Sequence, residues 1–204
     1  MICAIVLAAG ESRRMGAHKV LLPFGAGTVI EHIVDQLLRS AIDHVIVVVG
    51  HEGARVAEVL VERPVSVVTN PIYREGMLTS VRSGLKAVPP RCETVVLALG
   101  DQPALTAALV DELLRAYKQA GKGLLVPLHG VQRGHPLVFA ARYGDEILTR
   151  FDDAGLRGLL RAHADDVVEF AVPDDAILSD MDYPEDYRRE LARLEEQLRG
   201  EEQT

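Results

Sequence analysis

Six short runs of apolar, mostly β-branched residues recur along the chain: Ile2–Leu7, His44–Val49, Val65–Thr69, Thr94–Leu99, Leu124–Pro127 and Val167–Val172. Several lack the alternation of a strand with one wet face, so they read as strands covered on both sides, as in a parallel sheet. Segments with helical spacing of apolar residues lie between them. Thr28–Arg39 carries Val29, Ile33, Leu37 and Leu38, and Gly76–Val88 carries Met77, Val81, Leu85 and Val88. Thr106–Gln119 carries Leu109, Leu113 and Leu114. Strand, helix, strand at this rhythm predicts right-handed crossovers and a three-layer α/β/α domain with a mostly parallel sheet.

After Pro127 the rhythm breaks. "LHGVQRGHPLVFAARYG" has the turn residues of a hairpin or excursion. Short helical segments follow near Arg142–Arg150 and Leu156–His163, and a last helix is expected from Pro184, a residue suited to a first helical position. That helix presents Tyr187, Leu191, Leu194 and Leu198 on one stripe. The chain has 204 residues and no linker or repeat, so one domain is expected over 1–199, with 200–204 a frayed tail.

The formal net charge of −8 and the absence of Trp argue against nucleic acid or an anionic membrane as partner. A polyphosphate would need a local basic cluster or a metal ion. Cys3 and Cys92 sit at the edges of apolar runs and read as buried free thiols, and the seven histidines show no metal-ligand spacing. The opening apolar stretch is too short to span a bilayer and no charged leader precedes it, so a cytoplasmic protein is expected.

In open α/β sheets ligands sit beyond the carboxyl ends of the strands. The loop "LAAGESRRMGAHKVLLP" falls there, after the first strand. Gly10 and Gly16 let its backbone turn and approach a ligand, while Arg14 and Lys19 add charge for phosphate. The plainer alternative is a solvent loop with scattered cations. Asp101 in "LALGDQP" follows the fourth strand, where a carboxylate can hold Mg²⁺ against a triphosphate or simply brace a turn. Asp180 and Asp182 in "LSDMDYPEDY" offer a second carboxylate, with helix capping as the competing role.

"LAAGESRRMGAHKVLLP", "NPIYREGMLTSVRSGL", "LGDQP", "RGHPLVF" and "DMDYPEDY", in that order, resemble the MobA-like nucleotidyltransferase superfamily, and within it the molybdenum cofactor cytidylyltransferase branch. The resemblance covers residues 2 to about 187. It implies a Rossmann-like nucleotidyltransferase that uses CTP and Mg²⁺, transfers CMP to the phosphate of a molybdopterin-type molybdenum cofactor and releases pyrophosphate. A client molybdoenzyme is a possible further partner. On that resemblance Ala8, Ala9, Gly10 and Gly100 line the nucleotide, Arg14 and Lys19 hold the triphosphate, and Asn70, Gly76 and Ser80 bound the base and ribose. Arg14, Lys19 and Asp101 form the catalytic set; Asp101 and Asp182 are the metal ligands, with Asp180 a neighbour. Arg133, Gly134, His135 and Pro136 fall near the acceptor. Ala9 distinguishes the chain from guanylyl-transferring relatives, which read "LAGG". Tyr183 departs from the family's usual threonine in "D-T-P-E-D". Two other readings stay open: transfer to a sugar or polyol phosphate, and a non-catalytic carrier of the molybdenum cofactor.

Overall fold

The centre of the fold is β1 (Ile2–Ala8), whose alternate side chains serve two different cores. Ala4, Val6 and Ala8 point to one face of the sheet and Cys3 and Ile5 to the other, as the two-residue period of a strand requires. In this computed structural model, which describes residues 1–201, both faces are covered by helices. Apolar runs buried on both sides are the physical reason for the continuous, non-alternating strands.

The remaining strands are β2 (Pro23–Phe24), β3 (Gly27–Thr28), β4 (His44–Val49), β5 (Val65–Thr69), β6 (Thr94–Leu99), β7 (Leu124–His129), β8 (Gln132–Arg133), β9 (Leu137–Ala140) and β10 (Val167–Ala171). The helices are α1 (Val29–Arg39), α2 (Gly53–Val59), α3 (Met77–Ala87), α4 (Ala107–Ala120), α5 (Gly144–Thr149), α6 (Leu156–Ala162) and α7 (Pro184–Glu201). The main sheet runs β10-β7-β9-β6-β1-β4-β5, with β8 paired to β7. β1 pairs in parallel with β4 and β6, β4 with β5, and β7 with β10. Only β9 is reversed within that run, antiparallel to both β6 and β7. The break in rhythm after Pro127 is therefore a hairpin, β7–β8, followed by a strand inserted into the middle of the sheet.

Helices α1, α2, α4 and α7 pack on one face, through Ile33, Val56, Leu113 and Leu191 among others. Helices α3, α5 and α6 cover the other, through Val81, Ile147 and Leu159. Thr28 and Thr106, both within the expected helical segments, are the N-caps of α1 and α4; Thr28 forms a full capping box with Glu31, an arrangement whose cap is worth about 1 kcal/mol. Helix α2 has no counterpart in the sequence reading. It begins after Glu52, a non-glycine residue at φ 47°, and buries only Val56, which leaves almost no periodic signal. Cys3 and Cys92 are both free and buried; burial first, and then the Cys92 thiol beside it, push the Cys3 thiol up to about 12. Among the described residues no helix is long and apolar enough to cross a membrane. Residues 202–204 of the expected tail lie outside the described residues.

Candidate active site

The carboxyl ends of β1 and β6 open into a cavity of about 380 Å³. Its β6 wall depends on Gly100, whose N–H donates to Leu7 O at 2.9 Å; a Cβ there would stand 2.9 Å from the same carbonyl. Glycine thus lets the two strand ends meet and sets Asp101 at the mouth. The backbone carbonyl of Asp101 accepts from Met181 N at 3.0 Å. Buried Gln102 donates through Nε2 to Asp180 Oδ1 at 2.6 Å and to Ile177 O at 3.3 Å. These bonds fasten residues 177–182 to the end of β6, so three aspartates from two distant segments, Asp101, Asp180 and Asp182, line one wall.

The start of α7 explains why Asp182 is free for this wall. Asp186, in the first turn, accepts with Oδ2 from the N–H groups of both Asp182 and Tyr183, at 3.1 and 2.9 Å. Capping falls to Asp186, and the Asp182 carboxylate turns instead toward Arg14 Nη1 (2.9 Å) and Lys19 Nζ (3.0 Å).

Lys19 reaches the cavity from a 3₁₀ turn, Lys19–Leu21, pinned by buried Val20. The loop before it is braced by Ser12, which adopts φ 52° and accepts the Lys19 N–H on Oγ at 3.1 Å. Gly16 supplies a second left-handed position at φ 72°. The Lys19 ammonium also pairs with Asp101, so it sits between two carboxylates. Burial alone would lower its pKa; Asp101 first and Asp182 with it outweigh that and raise it, keeping Lys19 charged. Asp180 shifts the other way for a carboxylate's charge: burial, reinforced by Asp101, raises its pKa.

The cations and carboxylates expected to serve separate tasks are thus paired with one another. Breaking such half-buried pairs has a cost unless a ligand supplies replacement partners of both signs. A metal–polyphosphate does so. The donor set, carboxylate oxygens with no imidazole or thiol, fits a hard divalent cation such as Mg²⁺. Among the described residues no three acidic, His or Cys side chains form a metal cage of their own.

The opposite end of the cavity is uncharged. Ala8, Ala9 and Gly10 present backbone there, beside Tyr73, Met77 and Ser80. Asn70 is fully buried and does not line the space; its Nδ2 donates to Thr79 Oγ1 (2.8 Å) and Ser80 Oγ (2.9 Å), so it positions Ser80 rather than meeting a ligand. Gly76, at φ 118°, ends the turn that launches α3 and lies outside the lining, as Gly100 does.

The acceptor quartet is divided. Gly134 packs so tightly on Ile177 that a Cβ would fall 2.2 Å from its carbonyl oxygen, and His135 N donates to that oxygen at 3.0 Å. Pro136 follows a cis peptide bond. The half-buried His135 ring has its pKa lowered by desolvation, which outweighs the opposing Asp101 charge and favours the neutral form. Arg133 is drawn away to Glu169 on β10, at 2.6 Å. A larger hollow, about 530 Å³, lies on the outer face of the 10–22 loop. Its arginines are already neutralised, Arg13 by Glu11 at 2.5 Å and Arg55 by Glu52 at 2.6 Å, and it has no share in the carboxylate wall.

Comparison with known proteins matches a MobA-like NTP transferase domain to residues 4–167. The chain belongs to that family. The fold recurs in the crystal structure of Rv0371c from Mycobacterium tuberculosis H37Rv, 30% identical, with a TM-score of 0.82 over 94% of this chain and 97% of that one. A manganese complex of Rv0371c aligns at a TM-score of 0.76 and 28% identity, over 94% and 98% of the two chains. Among curated relatives, molybdenum cofactor cytidylyltransferase of Escherichia coli (strain K12) is 29% identical over 91% of this chain and 93% of its own. Nicotine blue oxidoreductase of Paenarthrobacter nicotinovorans is also 29% identical, over 78% and 81%. The same identity to proteins of such different names means that the reaction has to be argued from the site. The family supports a nucleotidyltransferase.

Proposed function

We propose that the protein transfers CMP from CTP to the phosphate of a molybdopterin-type molybdenum cofactor, releasing pyrophosphate, with Mg²⁺ as the metal. The observation that carries this reading is the bipolar cavity: Lys19 held between Asp101 and Asp182 at one end, and an uncharged slot beside Ala9 at the other. A nucleoside triphosphate has the matching polarity. Residues 1–199 act as one nucleotidyltransferase domain, and the soluble substrates suit a cytoplasmic enzyme that passes its product to a client molybdoenzyme.

The attacking group is a phosphate oxyanion, which needs no strong general base, so the protein's task is positioning and charge neutralisation. When bound, Mg²⁺ supplies electrostatic stabilisation of the phosphate oxygens. Asp101 and Asp182 are the residues to hold it. Lys19, released from its carboxylates, turns to the triphosphate, and Arg14 follows from the rim. Ala8, Ala9 and Gly10 orient the nucleotide through backbone groups. His135, neutral and beside Asp101, can donate a hydrogen bond to the incoming phosphate without adding charge.

Pyrophosphate release from CTP, GTP and ATP, with purified molybdopterin cofactor and Mg²⁺, tests the reading; CTP is expected to be preferred. A preference for GTP overturns the cytidylyl assignment. No release with any nucleotide over active cofactor overturns the acceptor assignment and leaves the sugar- or polyol-phosphate and carrier readings.

A further inference from the structure

The uncharged end of the cavity has one wall that cannot retreat. Tyr73, in the 3₁₀ turn Tyr73–Glu75 after β5, lies with its ring against Gly50 at the end of β4. A Cβ on Gly50 would stand 2.6 Å from Tyr73 Cγ and 2.8 Å from the Ala9 carbonyl oxygen, so the ring, Gly50 and the Ala9 backbone form one close-packed stack. The far edge of the ring is tied down as well. Tyr73 OH donates to Glu11 Oε1 at 3.3 Å. Glu11 is itself gripped on both oxygens, by Arg74 Nε at 2.6 Å and Arg13 Nε at 2.5 Å. The Arg74 guanidinium also lies over the Tyr73 ring, 5.3 Å from its centroid.

Met77 lines the same cavity as this fixed ring yet leaves 57% of its surface to water. A pliable thioether beside a rigid aromatic edge makes an apolar seat for a flat ring. The charged end of the cavity is where a triphosphate finds Lys19, so the base of the same nucleotide points to this seat.

We propose that Tyr73 sets nucleobase choice by holding the slot to the size of a single-ring pyrimidine. This rests on the nucleotidyl-transfer reading above. A purine has a second ring to place, and the Tyr73 ring cannot yield toward Gly50 and can swing outward only by giving up Glu11. Tyr73 is therefore a specificity-determining residue, and Gly50 and Glu11 are its positioning residues. A single methylene too many or too few in an apolar pocket already changes preference by about 10- to 200-fold, and a second ring is a larger misfit.

Dissociation constants for CTP and GTP, each with Mg²⁺, measured by titration calorimetry on the natural chain, Tyr73→Ala, Tyr73→Phe and Tyr73→Trp test the proposal. Tyr73→Ala is expected to lose about tenfold or more of the CTP-over-GTP preference, chiefly by gaining GTP affinity. Tyr73→Phe keeps the ring and most of the preference, and Tyr73→Trp weakens GTP further relative to CTP. Far-UV circular dichroism identifies which variants are folded, and either Tyr73→Ala or Tyr73→Trp alone suffices to decide. A folded Tyr73→Ala or Tyr73→Trp with the natural CTP:GTP ratio, on a chain that prefers CTP, overturns the role of Tyr73 alone. A natural chain that binds neither nucleotide, or prefers GTP, overturns the functional reading and this inference together.

Discussion

Lys19 lines the cavity to which its loop points, and there it does something that its position in the sequence does not announce. Its place three residues past Gly16 marks it for phosphate, whereas in the structure it bridges Asp101 and Asp182. Asp101 is the partner whose charge matters most to the proposed chemistry. Asp101→Asn keeps the shape and removes the charge, so transfer is expected to fall roughly a hundredfold or more, several kcal/mol of transition-state stabilisation, while the fold survives. Steady-state kcat and KM for pyrophosphate release check it; unchanged kcat would sink the assignment of Asp101. At this scale the sequence was most informative where a charged type had few alternatives, as for Asp101, Asp182 and Lys19. It was least informative where a polar type has many uses. Asn70 satisfies its neighbours inside the fold instead of facing the cavity, and Tyr73, Ser12 and Gln102 are silent in the sequence, because a ring wall, a left-handed serine and a buried amide leave no spacing signal.

Elements behave differently, because their signals are summed over many residues. Runs such as His44–Val49 and Thr94–Leu99 coincide with β4 and β6, since a strand buried on both faces must be apolar throughout. The insertion of β9 between β6 and β7 was not legible beyond "hairpin or excursion": four apolar residues specify a buried strand but not its neighbours or its direction. Packing between elements is hidden in the same way. Gly84 interrupts α3, where alanine would be favoured by about 1 kcal/mol on propensity alone. It is there because α3 lies directly on β1 and β4: a Cβ at Gly84 would be 2.5 Å from Ile5 Cγ2 and 3.1 Å from Val48 Cγ2, both on fully buried residues. Overpacking of that kind costs about 1–3 kcal/mol. Gly84→Ala is therefore expected to destabilise the protein by up to about 2 kcal/mol, despite the better helix former. Urea unfolding measures it, and a more stable variant would mean that α3 is not held against β1 as described.

For the whole molecule, the question is how an acidic protein accepts an anionic nucleotide. The net charge of −8 opposes the approach, and the local cluster does not offer bare positive charge, because Arg14 and Lys19 balance Asp101 and Asp182. Neither a metal alone nor a triphosphate alone can satisfy that cluster. The metal would have to displace the Lys19 ammonium without giving it a new partner, and the triphosphate would strip Lys19 from carboxylates that then face it uncompensated. Arriving together, each replaces what the other takes away. A ligand at a hundred times its dissociation constant stabilises the folded state by about 2.7 kcal/mol, which for a chain of this size raises Tm by about 5–10 °C. Mg²⁺ with CTP is expected to give a shift of that order, and Mg²⁺ alone at the same concentration about 1 °C or less. Lys19→Met separates the two effects: without the ammonium the carboxylates are open to metal, so Mg²⁺ alone should stabilise the variant more than it does the natural chain, while the added gain from CTP shrinks. Thermal unfolding of both proteins with metal, nucleotide and the pair decides it. If Mg²⁺ alone protects the natural chain as well as the pair does, Lys19 is not the group that ties metal entry to the nucleotide.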